Sequence, residues 1–402
     1  MTSMLVVAPA SLTVRIFAAR VSAACLLLCP VSTFAADGEI SAAALRQAVD
    51  EAIIPLMKQQ AIAGMAVAVT VNGNSHFFGY GVASKESGRK VTKDTIFEIG
   101  SISKIFTATL GAYAAATDAL ALDDKAVTHW PELGGSAFER ISLLELGTYS
   151  AGGLPLQFPE EVSDNSKMLA YYRAWRPEFG QGIMRLYSNP SIGLFGHLSA
   201  RAIGEPFEAF MEGKLAAAFG LNHTFVHVPA DRMENYAQGY TKQGQPVRVS
   251  PGALDAEAYG IKTTAPDLLR LVEANIDGSA LDRNWAKAVS TTQAGYYRAG
   301  SMIQGLGWEM YDRPVELDTL LQGNSADMAL KPRKTEPLAR SIPQDTDRFF
   351  NKTGATRGFG GYVAFIPKSR VGIVLLANTN YPNEERVKAA HRILQAVETT
   401  LP

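Results

Sequence analysis

Apolar and polar positions along the chain change period several times, and each change marks an element. Over residues 41–60, Leu45, Ala48, Val49, Ala52, Ile53 and Leu56 recur at three-to-four spacing and predict an amphipathic helix. The apolar run 66–71, the dipeptide Asn72-Gly73 and then His76-Phe77-Phe78 predict a β-hairpin, because Asn-Gly supplies the left-handed backbone of a two-residue turn. Near the other end, residues 362–366 and 372–376 flank Pro367-Lys368-Ser369 and predict a second hairpin. Residues 384–399 then carry Val387, Ala390, Ile393, Leu394 and Val397 on one helical face.

Between residues 101 and 250 strand signals are sparse, and helical runs alternate with loops such as Gly152-Gly153-Leu154-Pro155. The economical fold is therefore α+β, an α/β sandwich in which both chain ends join one antiparallel sheet flanked by helices. A mainly helical domain, residues 101–250, is inserted into a sheet domain made of residues 36–100 and 251–402, with an active site expected between them. The polar, proline-containing stretch 331–348 reads as a surface loop.

Composition narrows the class. The 402 residues are 47% apolar and 19% charged with a net charge of −1, which excludes disorder and leaves no basic surplus for nucleic acid. Residues 1–35 differ from the rest. They hold Arg15 and Arg20, no acidic residue, an apolar run over 21–31 and the small-residue ending Thr33-Phe34-Ala35, the pattern of a cleaved signal peptide. The run is too short for a membrane anchor and is broken by Pro30. Cleavage removes Cys25 and Cys29, so no disulfide or thiolate chemistry remains. Nothing later approaches an 18-residue apolar run, so the mature chain is expected to be periplasmic and free of the membrane.

Candidate chemistry lies in three triplets: Ser101-Ile102-Ser103-Lys104, Tyr187-Ser188-Asn189 and Lys352-Thr353-Gly354. Each is weak alone, since Ser87-Gly88-Arg89-Lys90 also fits SxxK and Tyr381-Pro382-Asn383 also fits YxN. Context separates them. Ser87 sits in a polar, glycine-containing stretch, whereas Ser101 follows Phe97-Glu98-Ile99-Gly100 and opens a helical run to about Ala116. At i and i+3 of a helix, Ser101 and Lys104 share one face, and a lysine can take the serine proton if its pKa is lowered. Lys352 begins a strand-like segment, where an ammonium and an open backbone edge can receive an anionic amide. SxxK, a second polar triplet and KTG in this order mark serine β-lactamases and penicillin-binding enzymes.

Beyond the triplets, the chain resembles class C (AmpC-type) serine β-lactamases along nearly its whole mature length. The strings Phe97-Glu98-Ile99-Gly100-Ser101, Ala151-Gly152-Gly153-Leu154-Pro155-Leu156-Gln157, residues 187–196, Asp255-Ala256-Glu257-Ala258-Tyr259-Gly260, residues 351–355 and residues 377–383 carry it. The resemblance implies a hydrolase that opens β-lactams through an acyl-enzyme on Ser101, with Lys104 and Tyr187 sharing proton transfer and Lys352 beside them. Backbone N–H groups of Ser101 and Ala355 would form an oxyanion hole. Gln157 and Asn189 would hold the acylamino side chain, and Tyr259 would line the pocket for bulky groups. Lys352, Thr353, Gly354, Asn383 and Arg386 would surround the ring carboxylate. It implies a monomer with no cofactor, acting on small-molecule β-lactams.

Two positions depart from the family pattern: Asn351 stands where several relatives carry histidine, and Arg357 where a small or neutral residue is usual. A metal-dependent enzyme is disfavoured, because His76, His129, His197, His223, His227 and His391 include no ligand motif. Two alternatives stay open. One is a D-Ala-D-Ala peptidase or esterase on the same fold, and the other is a non-catalytic β-lactam receptor.

Overall fold

The computed structural model describes residues 40–339 and 347–401, together with Thr2 and Leu5; apart from those two, the signal segment 1–35 lies outside the described residues. Ser41 accepts the Ala44 N–H at 3.2 Å and caps α1 (Ala42–Gln59), which buries the predicted stripe Leu45, Val49, Ala52, Ile53 and Leu56. β1 (Gly64–Val71) and β2 (Asn74–Gly81) form the first hairpin, with Asn72 and Gly73 both at positive φ in its turn. α2 (Ser103–Ala116), α3 (Asn189–Ile203), α4 (Ala265–Ile276) and α5 (Arg283–Gln293) follow. The remaining main-sheet strands are β3 (Tyr297–Ala299), β4 (Met302–Gln304), β5 (Glu309–Asp312), β6 (Glu336–Pro337), β7 (Arg348–Ala355), β8 (Gly360–Ile366) and β9 (Val371–Ala377). Helix α6 (Asn383–Glu398) ends the fold.

These nine strands form one antiparallel sheet in the order β6-β3-β4-β5-β7-β8-β9-β1-β2. β9 thus joins the two chain ends, pairing Met65 with Ala377 and Val71 with Val371. Because side chains alternate across a strand, each strand feeds two cores. Met65, Val67, Val69, Ile373 and Leu375 pack with α1 and α6, whereas Ala66, Ala68, Val374 and Leu376 pack with α2, α4 and α5. Burial on both faces explains why these strands read as unbroken apolar runs. Within residues 101–250 the only strands are the two-residue Met184–Arg185, Gly239–Tyr240 and Pro246–Val247, in keeping with the sparse strand signal there.

Two expectations are corrected. The stretch 331–348 is not simply a loop: Arg333–Lys334 pairs with Met184–Arg185, and β6 is the edge of the main sheet. Backbone bonds Thr335 N–H to Ile183 O and Leu338 N–H to Tyr296 O, both 3.0 Å, hold it, and an edge strand tolerates the polar side chains that suggested a loop. Residues 340–346 lie outside the described part. Lys352-Thr353-Gly354 falls near the end of β7, not its start, because Arg348-Phe349-Phe350 already pairs with β5.

One side chain ties the two chain ends to the middle of the protein. Asn378, fully buried just after β9, accepts the Gly64 N–H at 2.7 Å, and its Nδ2 donates to Val82 O (3.0 Å), Ala83 O (3.2 Å) and Gln238 O (3.0 Å). Removing it strands buried backbone groups, which are costly to leave unpaired. Asn378→Ala is expected to lower unfolding free energy by about 2–4 kcal/mol in urea titrations. Asn378→Asp should not rescue it, since a carboxylate cannot donate to the three carbonyls.

Candidate active site

Two glycines let strand β7 press against the turn that carries Ser101. Gly100 has φ +51°, and a Cβ there would lie 2.4 Å from the Ala355 carbonyl oxygen; one on Gly354 would lie 2.0 Å from the Ile99 oxygen. Neither contact is possible for a larger residue without moving backbone. Ser101 sits in the single 3₁₀ turn Gly100–Ile102 rather than in α2 itself, which starts at Ser103. The i, i+3 spacing nevertheless works as the sequence suggested: Lys104 Nζ lies 3.0 Å from Ser101 Oγ. Lys104 is fully buried and donates its second bond to Ala258 O at 2.7 Å.

Tyr187 stands between two ammonium groups. Lys104 Nζ is 5.1 Å and Lys352 Nζ 5.0 Å from its ring centroid. Its hydroxyl is buried among Ser101, Lys104 and Lys352 without meeting strict hydrogen-bond geometry to any of them, and these are the groups that act on it. Burial opposes its ionisation, but Lys104 and then Lys352 outweigh burial and hold the phenol below its ordinary pKa. Burial, with repulsion from Lys352, brings Lys104 down to about 8, against the attraction of Tyr187 and Glu309. Lys352 is equally buried, yet the Glu309 carboxylate beside it, at 3.7 Å, keeps its pKa raised. The three groups titrate as one system. Counting Arg185 and Glu309, cations outnumber anions here, which suits an anionic ligand.

The cleft in front of these groups is walled by Ser101, Tyr187, Lys352, Thr353, Gly354, Ala355 and Asn383. Asn383, at the start of α6, donates to Asn324 O at 3.3 Å. Three of the other expected residues stand outside this wall. Gln157 is exposed, Tyr259 is half-buried next to Ala258, and Asn189 is buried in the first turn of α3 with its Oδ1 unpartnered. Arg386 is set back from the cleft wall, behind Gly354. Its guanidinium is 1% exposed and donates to Gly354 O (2.7 Å), Asn380 Oδ1 (2.7 Å) and the Tyr381 carbonyl, so it braces β7 from behind instead of facing a ligand carboxylate. The decoys fall away: Ser87 is exposed, and Tyr381 is buried against Arg386.

Glu309 and Arg185 are site residues that sequence reading missed. Arg185, 2% exposed, donates to Glu309 Oε1 (3.1 Å), Gln304 Oε1 (2.7 Å) and Met328 O (2.8 Å). Its guanidinium lies over the rings of Tyr149 and Tyr187, whose centroids are 4.8 Å apart. A carboxylate inside the apolar string Trp308-Glu309-Met310-Tyr311 was the available signal, since buried charges are kept only when paired. Among the described residues, no group of His, Cys, Asp and Glu is placed to hold a metal ion.

Residues 49–398 match the family model described as Beta-lactamase. The chain is 54% identical over 354 residues to a β-lactamase of Pseudomonas fluorescens, covering 88% of this chain and 99% of that one. Its structure resembles the β-lactamase/D-alanine carboxypeptidase of Pseudomonas syringae at a TM-score of 0.84 and 47% identity, covering 88% and 99% of the two chains. It also resembles a class C β-lactamase in complex with cefoxitin, at a TM-score of 0.85 and 43% identity, again over 88% and 99%.

Two measurements test this geometry. If Arg386 braces β7, Arg386→Met lowers stability by about 2–4 kcal/mol and reduces kcat/KM with it; a raised KM at unchanged stability would return Arg386 to ligand binding. For Lys104 the sign follows from its depressed pKa. The folded state penalises its charge, fully below about pH 8, and the penalty fades as pH rises toward the ordinary lysine value near 10.4. The stability of Lys104→Met relative to the parent should therefore fall by about 2–3 kcal/mol across that window, read from urea midpoints at stepped pH.

Proposed function

This chain belongs to the β-lactamase family, class C, and we propose that its cleft hydrolyses the β-lactam amide of cephalosporins and penicillins through an acyl-enzyme on Ser101. The observation that carries this reading is Lys104 Nζ at 3.0 Å from Ser101 Oγ, with Tyr187 held between Lys104 and Lys352. Ser101 Oγ attacks the lactam carbonyl, and its proton passes to the Lys104–Tyr187 system, which both burial and mutual charge prepare to accept it. The same system returns a proton to the departing lactam nitrogen. Water then attacks the ester, giving its proton to Tyr187; the acyl C–Oγ bond breaks and that proton passes to Ser101 Oγ, which frees the enzyme.

Backbone N–H groups of Ser101 and Ala355 are assigned to the developing oxyanion, supported by the tight approach of Gly100 to Ala355. Lys352, Thr353 and Asn383 are assigned to the ring carboxylate, because they wall the cleft beside an excess of positive charge. Gln157, Asn189 and Tyr259 are assigned to the acylamino side chain; the unpartnered Asn189 Oδ1 is an acceptor free for an amide N–H. The inserted helical segment 101–250 supplies Ser101, Lys104 and Tyr187, and the sheet segment supplies Lys352. A cleaved signal over residues 1–35 would deliver the enzyme to the periplasm as a monomer.

A D-alanine carboxypeptidase is the second reading, favoured by the double name of the Pseudomonas syringae relative. Turnover separates the two: a lactamase frees itself after nitrocefin, whereas a peptidase or a receptor keeps a covalent adduct on Ser101 visible by mass spectrometry. Ser101→Ala is expected to abolish hydrolysis in a folded protein while Ser87→Ala stays active. Lys104→Arg should lose about 10²-fold or more in kcat/KM, since arginine keeps the charge but cannot give up its proton. Near-parental acylation by Lys104→Arg would confine Lys104 to an electrostatic role.

A further inference from the structure

Arg357 is a cation beside the cleft that the reaction above leaves unused. It lies two residues past Ala355, which walls the cleft, so its Cα is within about 7 Å of the Ala355 Cα. The backbone around it is held from several sides. Thr356 N–H donates to Phe359 O at 3.1 Å and closes a turn, Thr356 Oγ1 donates to Glu98 Oε2 at 2.6 Å, and Tyr240 N–H donates to Gly358 O at 3.3 Å. On this fixed turn the Arg357 side chain is exposed, and among the described residues it forms no ion pair or hydrogen bond. Glu98, the carboxylate that anchors the turn, is already occupied by Thr356, the Tyr236 hydroxyl (2.7 Å) and the Val249 N–H (2.9 Å). Arg248, the cation nearby, is also taken up, lying 4.0 Å over the Tyr236 ring.

The turn can be placed along the cleft. Gly100 abuts Ala355, and its neighbour Ile99 donates to Ile261 O at 3.2 Å, two residues past Tyr259. The turn that bears Arg357 is thereby linked through Ile99-Gly100 to the segment that bears Tyr259, while Lys352 stands beside Glu309 in the cleft wall with Asn383. We propose that Arg357 is a specificity-determining residue that favours β-lactams carrying a second anionic group on the acylamino side chain. This rests on the acyl-enzyme reading and on assigning that side chain to the Tyr259 end. A free exposed guanidinium has no internal partner to give up, so only water competes with an arriving carboxylate for it. Exposure to water keeps the gain modest, and salt screens it over about 10 Å at 0.1 M.

Benzylpenicillin and its α-carboxyl analogue carbenicillin differ by one side-chain carboxylate and form the test pair. At low ionic strength, Arg357→Gln should lower the ratio of kcat/KM for carbenicillin to that for benzylpenicillin by about two- to fivefold. Arg357→Lys should restore most of the ratio, Arg357→Glu should push it below that of Arg357→Gln, and 0.5 M salt should erase the differences. If the parent enzyme hydrolyses both drugs and the ratio is the same for all four proteins at low salt, Arg357 is no selector and the acyl-enzyme reading stands. If the parent hydrolyses neither, the reading of this cleft as one that hydrolyses penicillins fails, and the selector role fails with it.

Discussion

Two buried ammonium groups facing one phenol are the constraint on which this structure depends. Lys104 and Lys352 approach the Tyr187 ring at 5.1 and 5.0 Å, and neither could be kept charged so deep without compensation. Glu309 supplies it for Lys352, and Arg185 in turn balances Glu309, so a chain of three charges extends from the cleft into the sheet. Lys104 has no carboxylate beside it, only the Ala258 carbonyl, Ser101 and the Tyr187 phenol, which leaves it the most readily deprotonated of the cations. The asymmetry between two lysines at nearly equal distance from one ring separates a proton carrier from a fixed charge.

Holding that asymmetry requires backbone precision, which comes from side chains remote from any ligand. Arg386 spends its guanidinium on the Gly354 carbonyl and its neighbours, and Gly100 and Gly354 allow β7 to seat against the Ser101 turn. Asn378 joins β1, the residues after β2 and the segment before Gly239 at a single buried amide. These contacts fix where Lys352 stands relative to Ser101, which lie some 250 residues apart in sequence. An active site assembled from distant segments needs such supporting residues as much as its reacting groups.

Much of this was legible from the residues alone. Helix α1, the Asn72-Gly73 hairpin, the β8–β9 hairpin and α6 are stated by periodicity and turn chemistry, because each is decided within about twenty residues. The Ser101–Lys104 contact is legible for the same reason, being a matter of i, i+3 spacing. The short strand β6 and the pairing of Arg333–Lys334 were not, since an edge held by backbone bonds makes no demand on side-chain pattern. Only tertiary structure decided the roles of Arg386, Glu309 and Arg185. A guanidinium or carboxylate has the same identity in a cleft, behind a strand or within a charge network. Its pKa, its partners and its function are set by which distant backbone and charges the fold brings against it.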